Sequence, residues 1–333
     1  MIIIFFFKFQ NYKMDSYFGQ DTRRKDRGRK KYQHFKNGKH VPRTNKDRLK
    51  DYTERKLPDE EFEFEESRST RKQWAQETTQ IIQEHFDLDY IERTKYYPEE
   101  LPVSPDTKWD QYPNQETEVN FVTMKTVSLL WALEKDELED TVALNFASAK
   151  NPGGGFMRGA GGQEEALSVS SGLYWSLTEG PGREMYKKNK KDNRDCVYRS
   201  DAIWSQDVPL FRFDDGSVVS NFGNDPRFIK VISMPAVNYG AYSTKKSFTE
   251  EYYDQVMRER IRRVFQIALV NGCKRIILGP WGCGVFEGNL EKMIQRFQEE
   301  PLYAKFEKIY FVSTSEKTVE RMEEAWKEWE KVL

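Results

Sequence analysis

The sequence predicts an α/β fold, a sheet with helices on both sides. Two observations carry it. Short apolar runs at Val142–Ala147, Lys230–Met234, Arg275–Leu278 and Lys308–Val312 read as buried strands. Longer amphipathic runs alternate with them, and that alternation favours helices packed on a sheet. No internal repeat is present.

The elements follow in order. The opening MIIIFFFKF is apolar but too short to span a bilayer, which takes roughly 20 residues. It has neither the charged start nor the small-residue cleavage site of a signal peptide. Met14 is a second candidate start. Residues 23–56 are rich in Lys and Arg and poor in large aliphatics, and residues 59–66 turn acidic. Such a stretch buries too little apolar surface to offset its ordering entropy, so residues 1–67 are expected to be a disordered arm. A helix is expected from Arg68, with Ser67 or Ser69 as its cap and Trp74, Ile81, Ile82 and Phe86 at helical spacing. Tyr96–Pro113 is polar and punctuated by proline. Glu118–Met124 reads as a strand, Lys125–Leu133 as a helix and Val142–Ala147 as a buried strand.

A glycine-rich loop follows, and Gln163–Leu177 is helical by pattern, with Ala166, Leu167, Ser170 and Leu173 in register. Pro181–Arg199 is charged and is expected to be a surface excursion. Val208–Phe213 is expected to be a strand ended by Asp214-Asp215-Gly216. Lys230–Met234 is a strand ended by Pro235. Glu250–Val270 is an amphipathic helix, Arg275–Leu278 a strand, Leu290–Glu299 a helix and Lys308–Val312 a strand. The last run, Glu316–Val332, places Val319, Met322, Ala325, Trp326 and Trp329 on one helical face.

Composition removes several function classes. The net charge of −1 over 333 residues names no partner. Cys196, Cys273 and Cys283 are odd in number, widely spaced and without zinc-ligand spacing, so neither a disulfide framework nor a metal site is expected. The histidines His34, His40 and His85 all lie upstream of the glycine-rich loop, which argues against Ser-His-Asp and Cys-His enzymes.

The chemistry concentrates in NFASAKNPGGGFMRGAGGQEE, residues 145–165. Gly153, Gly154 and Gly155 permit positive φ and close approach to a ligand. Their amides are expected to point into one concavity and hold a phosphate. In α/β sheets ligands bind beyond the carboxyl ends of strands, where this loop sits. It has no GK[ST] ending and no GxGxxG, so it is neither a nucleoside-triphosphate loop nor a dinucleotide fingerprint. Alone, the glycines could be a tight turn. Gln163-Glu164-Glu165 could likewise be solvated acids favoured by a helix N-terminus. Their separation by only seven residues gives both more weight.

A second loop, GPWGCGVFEG at residues 279–288, also follows a strand. Its amides could hold another side of a diphosphate, and Phe286 is placed against ligand. Read alone, Trp281 is a core residue and Cys283 a small buried filler. Asn145 and Asn238 stand evenly between ligand contact and turn formation. The basic arm, with Tyr32 and Phe35 interspersed, could contact nucleic acid, although a solvated tail is the simpler reading.

Taken together these pieces resemble the microbial-type poly(ADP-ribose) glycohydrolase family. The resemblance runs from about Arg68 to the C-terminus through AQET, NFASAKNPGGGF, QEEALSVSSGLYWSL, SQDVPLFR, MPAVN and GPWGCGVFEGN. It implies a macrodomain-like mixed sheet flanked by helices over residues 68–333, with residues 68–117 as a helical N-terminal extension. It implies ADP-ribose held between two phosphate loops. The first is Gly153–Phe156, with Asn145, Asn151 and Asn238 on the ligand side. The second is Gly282–Phe286, through Gly282, Cys283, Gly284, Val285 and Phe286. Glu165 is implied as the catalytic acid, with Glu164 and Gln163 orienting the riboses, and neither a metal nor a cofactor is implied. Pro280 departs from related sequences, which often carry a small residue there. The glycine-rich FMRGAGG is expected to make the approach of the acid more mobile.

The implied reaction cleaves a ribose–ribose acetal through an oxocarbenium-like transition state. One carboxyl protonates the departing oxygen and then, as carboxylate, activates water. Glu164 and the bound diphosphate are expected to raise the pKa of Glu165 by like-charge repulsion. The expected partners are poly(ADP-ribose) or ADP-ribosylated proteins, with cleavage from the chain end. Alternatives are an ADP-ribose-binding reader and a mono-ADP-ribosyl hydrolase acting on protein or nucleic acid. A cytoplasmic monomer without membrane contact is expected. The basic cluster Arg27–Lys31 keeps a nuclear address open.

Overall fold

The computed structural model describes residues 35–36, 39–40, 67–192, 194–219 and 227–330. The chain divides into two units, Met1–Arg48 and Leu49–Leu333. In the first, Phe35–Lys36 pairs antiparallel with Lys39–His40. The rest of the expected disordered arm up to residue 66, with Met14, Arg27–Lys31 and Tyr32, lies outside the described residues.

The second unit is built on seven strands, β1 (Lys95–Tyr97), β2 (Glu118–Thr123), β3 (Thr141–Phe146), β4 (Ala202–Leu210), β5 (Arg227–Met234), β6 (Arg275–Leu278) and β7 (Lys308–Ser313). Their order across the sheet is β1-β4-β5-β3-β6-β7-β2. The β1–β4 and β4–β5 pairs are antiparallel, and β5, β3, β6, β7 and β2 run parallel. The sheet is therefore mixed, as expected.

Its helices are α1 (Arg68–His85), α2 (Thr126–Ala132), α3 (Lys135–Glu139), α4 (Gln163–Ser170), α5 (Leu173–Thr178), α6 (Arg183–Lys191), α7 (Tyr239–Tyr242), α8 (Glu250–Val270), α9 (Leu290–Glu299) and α10 (Glu316–Glu330). Polar side chains start several of them. Ser67 accepts from the Thr70 amide at 3.2 Å, Thr249 from that of Tyr252 at 3.1 Å, and Asn289 from that of Lys292 at 2.7 Å.

Side chains alternate across the strands, so the two faces carry two cores. Val142, Leu144, Ile232 and Met234 face α8, α9 and α10. Ala143, Val231 and Ile277 pack with α2, α4, α5 and α6. Burial on both faces explains why these strands read as continuous apolar runs. On α10, Val319, Met322 and Trp326 are buried, while the side chain of Trp329 lies outside the described residues.

Four local expectations are corrected. The helix expected over Gln163–Leu177 breaks at Ser171, which is extended and bridges Leu210. The amides of Phe211 and Arg212 take the Ser170 carbonyl at 3.1 and 3.2 Å, so it cannot serve the next helical turn. The expected surface excursion holds α6, which buries Met185, Tyr186 and Asn189 and turns its lysines outward. Of the strand expected over Val208–Phe213, only Val208–Leu210 is strand, the end of a longer one, β4, whose register shifts between Ser205 and Val208. Finally, Lys95–Tyr97 is a strand within the polar, proline-punctuated stretch.

The parallel strands place three loops at one edge of the sheet. Residues 147–162 follow β3, residues 235–238 follow β5, and residues 279–289 follow β6.

Candidate active site

The first loop is shaped by its glycines. Gly153 and Gly154 have φ of 64° and 61°, in the left-handed region that favours glycine. A Cβ on Gly154 would stand 2.9 Å from Glu165 Cδ and 3.1 Å from Glu164 Oε2. The loop thus packs its backbone directly against both carboxylates.

Two of the three loop amides have partners within the protein. Gly154 donates to the Asn151 carbonyl at 2.9 Å, and Gly155 to Glu165 Oε1 at 2.8 Å. The Glu165 carboxylate at the start of α4 holds one of the three donors, a charge-assisted bond being stronger than a neutral one. Asn151 is exposed and receives the Ser148 hydroxyl as acceptor for its own amide at 3.1 Å. Phe156 supplies only backbone to the loop, because its ring is 1% exposed and packs with Trp74, Ala75, Val169 and Tyr174.

The glutamates differ in setting. Glu165 is half-buried in the first turn of α4. Glu164 is 4% exposed, and accepts from the Ser148 amide at 2.7 Å and from Asn145 Nδ2 at 3.4 Å. Burial raises its pKa to about 8, with the charge of Glu165 adding to the rise and the Ser148, Asn145 and Gly153 donors opposing it. The strongly desolvated acid of the pair is therefore Glu164.

Gln163 faces the sheet. Its Oε1 accepts from the Phe146 amide at 2.9 Å, and its Nε2 donates to the Leu144 carbonyl at 2.8 Å and to Thr126 Oγ1 at 3.3 Å. Asn145 is fully buried and also donates to Ser233 Oγ at 2.9 Å. Both side chains tie α4 to the ends of β3 and β5.

The second loop turns at Gly282, whose φ is 77° and where a Cβ would meet that of Ala236 at 2.8 Å. Trp281 is fully buried and donates to the Met234 carbonyl at 3.2 Å, as its core reading required. Cys283 is half-buried, and burial pushes its thiol up to about 12. Gly284 and Val285 are exposed, Val285 at 93%. Phe286 is half-buried against the core. Asn238 caps α7, accepting from the Ala241 amide at 3.1 Å, so its helix-forming role is present in the structure.

Residues missed in the sequence reading line the same edge. Asp195, Cys196 and Tyr198 all have positive φ, at 48°, 72° and 61°. Such strain in non-glycine residues clusters at functional sites. The Tyr198 ring lies 6.4 Å from that of Phe286, and Lys150 Nζ stands 5.9 Å from the Tyr198 centroid. Fully buried Arg260 holds this segment, donating to the carbonyls of Val197 at 2.7 Å, Tyr198 at 3.0 Å and Pro235 at 3.0 Å. Polar composition gave no signal for the segment, and only its backbone angles reveal it.

A cavity of about 30 Å³ adjoins Glu165, between Arg71, Trp74, Lys125 and Asp214. Another, of about 300 Å³, lies between β2 and α10 near Phe121, Tyr303 and Trp326, away from the glutamates. The smaller one adjoins the chemistry-bearing groups. Among the described residues no cluster of His, Cys, Asp and Glu could hold a metal ion, and no helix is long and apolar enough to cross a membrane.

A seven-stranded mixed sheet flanked by helices, with paired glutamates starting a helix at one edge, defines a macrodomain-like α/β protein. Residues 66–213 match the microbial-type PARG (poly(ADP-ribose) glycohydrolase) catalytic domain. Its fold is similar to that of a poly(ADP-ribose) glycohydrolase from Thermomonospora curvata bound to the inhibitor ADP-HPD. That match has 27% identity and a TM-score of 0.65, and covers 78% of this chain and 99% of the other. It is also similar to the Deinococcus radiodurans enzyme in complex with ADP-ribose, at 28% identity and a TM-score of 0.61, covering 73% of this chain and 96% of the other. No curated protein matches the chain.

Proposed function

We propose that the chain hydrolyses the ribose–ribose bonds of poly(ADP-ribose), releasing ADP-ribose, with Glu165 as general acid and base. The observation that carries this reading is the bond from the Gly155 amide to Glu165 Oε1, at 2.8 Å. It fixes a half-buried carboxyl at the sheet edge where ligands of α/β proteins bind. Its relatives' complexes with ADP-ribose and ADP-HPD support the substrate class.

The chemistry follows from the two environments. Glu165 gives its proton to the departing ribose oxygen as the C–O bond breaks. As carboxylate it then takes a proton from the water that adds to the oxocarbenium carbon. Glu164, with its pKa of about 8, is largely protonated at neutral pH. Glu164 and Gln163 act as positioning residues, holding the backbone at Leu144, Phe146 and Ser148 in place. The second loop, residues 282–286, supplies backbone and the Phe286 ring to the ADP-ribose, and Tyr198 forms the facing wall. Cleavage proceeds from the chain end.

A reader that binds ADP-ribose without cleaving it has no need for a loop amide committed to a carboxylate. Digestion of auto-modified poly(ADP-ribose) polymerase tests the proposal, with Glu165→Gln beside the wild type. Free ADP-ribose released by the wild type alone supports it. Intact polymer with both proteins, together with ADP-ribose binding, transfers the chain to the reader or mono-ADP-ribosyl hydrolase class.

A further inference from the structure

The loop that holds Glu165 rests on α1. Arg68 Nε donates to the Arg158 carbonyl and Arg71 Nε to the Gly159 carbonyl, each at 3.1 Å. Gly159 has φ of 70°, and a Cβ there would run into the Arg68 carbonyl. The backbone of α1 and the loop therefore approach as closely as glycine allows. Phe156 plugs into α1 beside Trp74 and Ala75, and the Thr78 hydroxyl donates to the Val169 carbonyl at 2.5 Å. The turn within FMRGAGG is bonded at two successive carbonyls and anchored by a ring.

We infer that Arg71 is a positioning residue for Glu165, acting through the loop. Several contacts converge on this. Arg71 bonds Gly159, the Ala160 amide folds back to the Gly155 carbonyl at 3.1 Å, and the Gly155 amide holds Glu165. The Arg71 guanidinium carbon also lies 3.4 Å from where a Gly161 Cβ would stand, and Arg71 and Glu165 line the same cavity of about 30 Å³. Arg71 thus braces the loop at Gly159 and Gly161, on both sides of the return to Gly155. A planar guanidinium holds a carbonyl with little freedom left to the loop. A misplacement of about 1 Å at a catalytic group can cost 100-fold in rate.

The inference rests on Glu165 being the acid, so the experiment separates the two. Full-length Arg71→Ala, Arg71→Lys and Glu165→Gln are compared with wild type for kcat and KM on poly(ADP-ribose), ADP-ribose binding by calorimetry and thermal melting. Arg71→Ala should lose roughly 10- to 100-fold in kcat, with KM and ADP-ribose affinity within about twofold, and Arg71→Lys should recover part of kcat. Unchanged kcat in Arg71→Ala, or parallel losses in kcat, affinity and melting temperature, would overturn the positioning role. An active Glu165→Gln would sink the assignment of the acid, and the inference with it.

Discussion

The Gly155 amide donates to Glu165 Oε1 at 2.8 Å, while a Cβ on Gly154, one residue earlier, would stand 3.1 Å from Glu164 Oε2. The triple glycine is therefore a cradle for carboxylates. Its residues come so close to the helix start that no side chain fits between.

Gly154 tests that reading directly. Alanine there would carry a Cβ at φ 61°, with the Glu165 carboxyl carbon at 2.9 Å. The left-handed conformation costs about 1–2 kcal/mol for an L-residue, and the carboxyl must also move. Gly154→Ala should lower kcat by roughly 100-fold and depress the melting temperature modestly. Steady-state turnover of polymer, with a melting curve as control, checks it. Wild-type turnover would show that the contact is not what aims Glu165.

The pKa of Glu164 predicts a pH dependence of stability. Burial raises it from 4.5 to about 8 in the folded chain. Between those values the folded state keeps a proton that the unfolded state has lost, so stability falls as pH rises through this window. Above about pH 8 the decline from this group levels off. Glu164→Gln keeps the neutral shape and cannot ionise. Its unfolding free energy, followed by urea between pH 5 and pH 9, should decline less than that of the wild type. Parallel slopes would mean that Glu164 is already charged at pH 5.

Much of this site was legible in the sequence, and the reason is spacing. Three glycines and a Gln-Glu-Glu run separated by seven residues declared a loop returning to a helix start. What the loop amides bind was not legible, because donors go to whichever acceptor the tertiary fold brings nearest. The strands β3, β5, β6 and β7 were read correctly because burial on both faces makes them continuous apolar runs. β1 was not, since a three-residue edge strand carries too few side chains to show a period. The break at Ser171 was hidden for a related reason. It depends on amides from Phe211 and Arg212, some forty positions along the chain.

Gln163 separates two roles. Its amide bonds Phe146, Leu144 and Thr126, all at the root of the site. Gln163→Ala would leave the Phe146 amide and the Leu144 carbonyl short of partners, at a cost of about 1–3 kcal/mol per buried group. Urea unfolding should show a lower midpoint, and kcat should fall through displacement of α4. A large rise in KM with full stability would instead place Gln163 on the substrate.

Arg260 offers the last test, of the strained wall. It is fully buried, and desolvation pulls its pKa down to about 10. Its donors satisfy the Val197, Tyr198 and Pro235 carbonyls, two of them within the positive-φ segment. Arg260→Met matches the stem but removes every donor, so carbonyls are left buried at on the order of 3 kcal/mol in total. Released from that hold, residues 195–198 should relax toward ordinary backbone angles and carry the Tyr198 ring away from Phe286. The expected outcome is a lower melting temperature together with weaker ADP-ribose binding by calorimetry. Phe286→Ala should weaken binding with little loss of stability, since its ring is only half-buried. If Arg260→Met lowers stability while leaving affinity intact, the strained segment serves the fold and not the ligand.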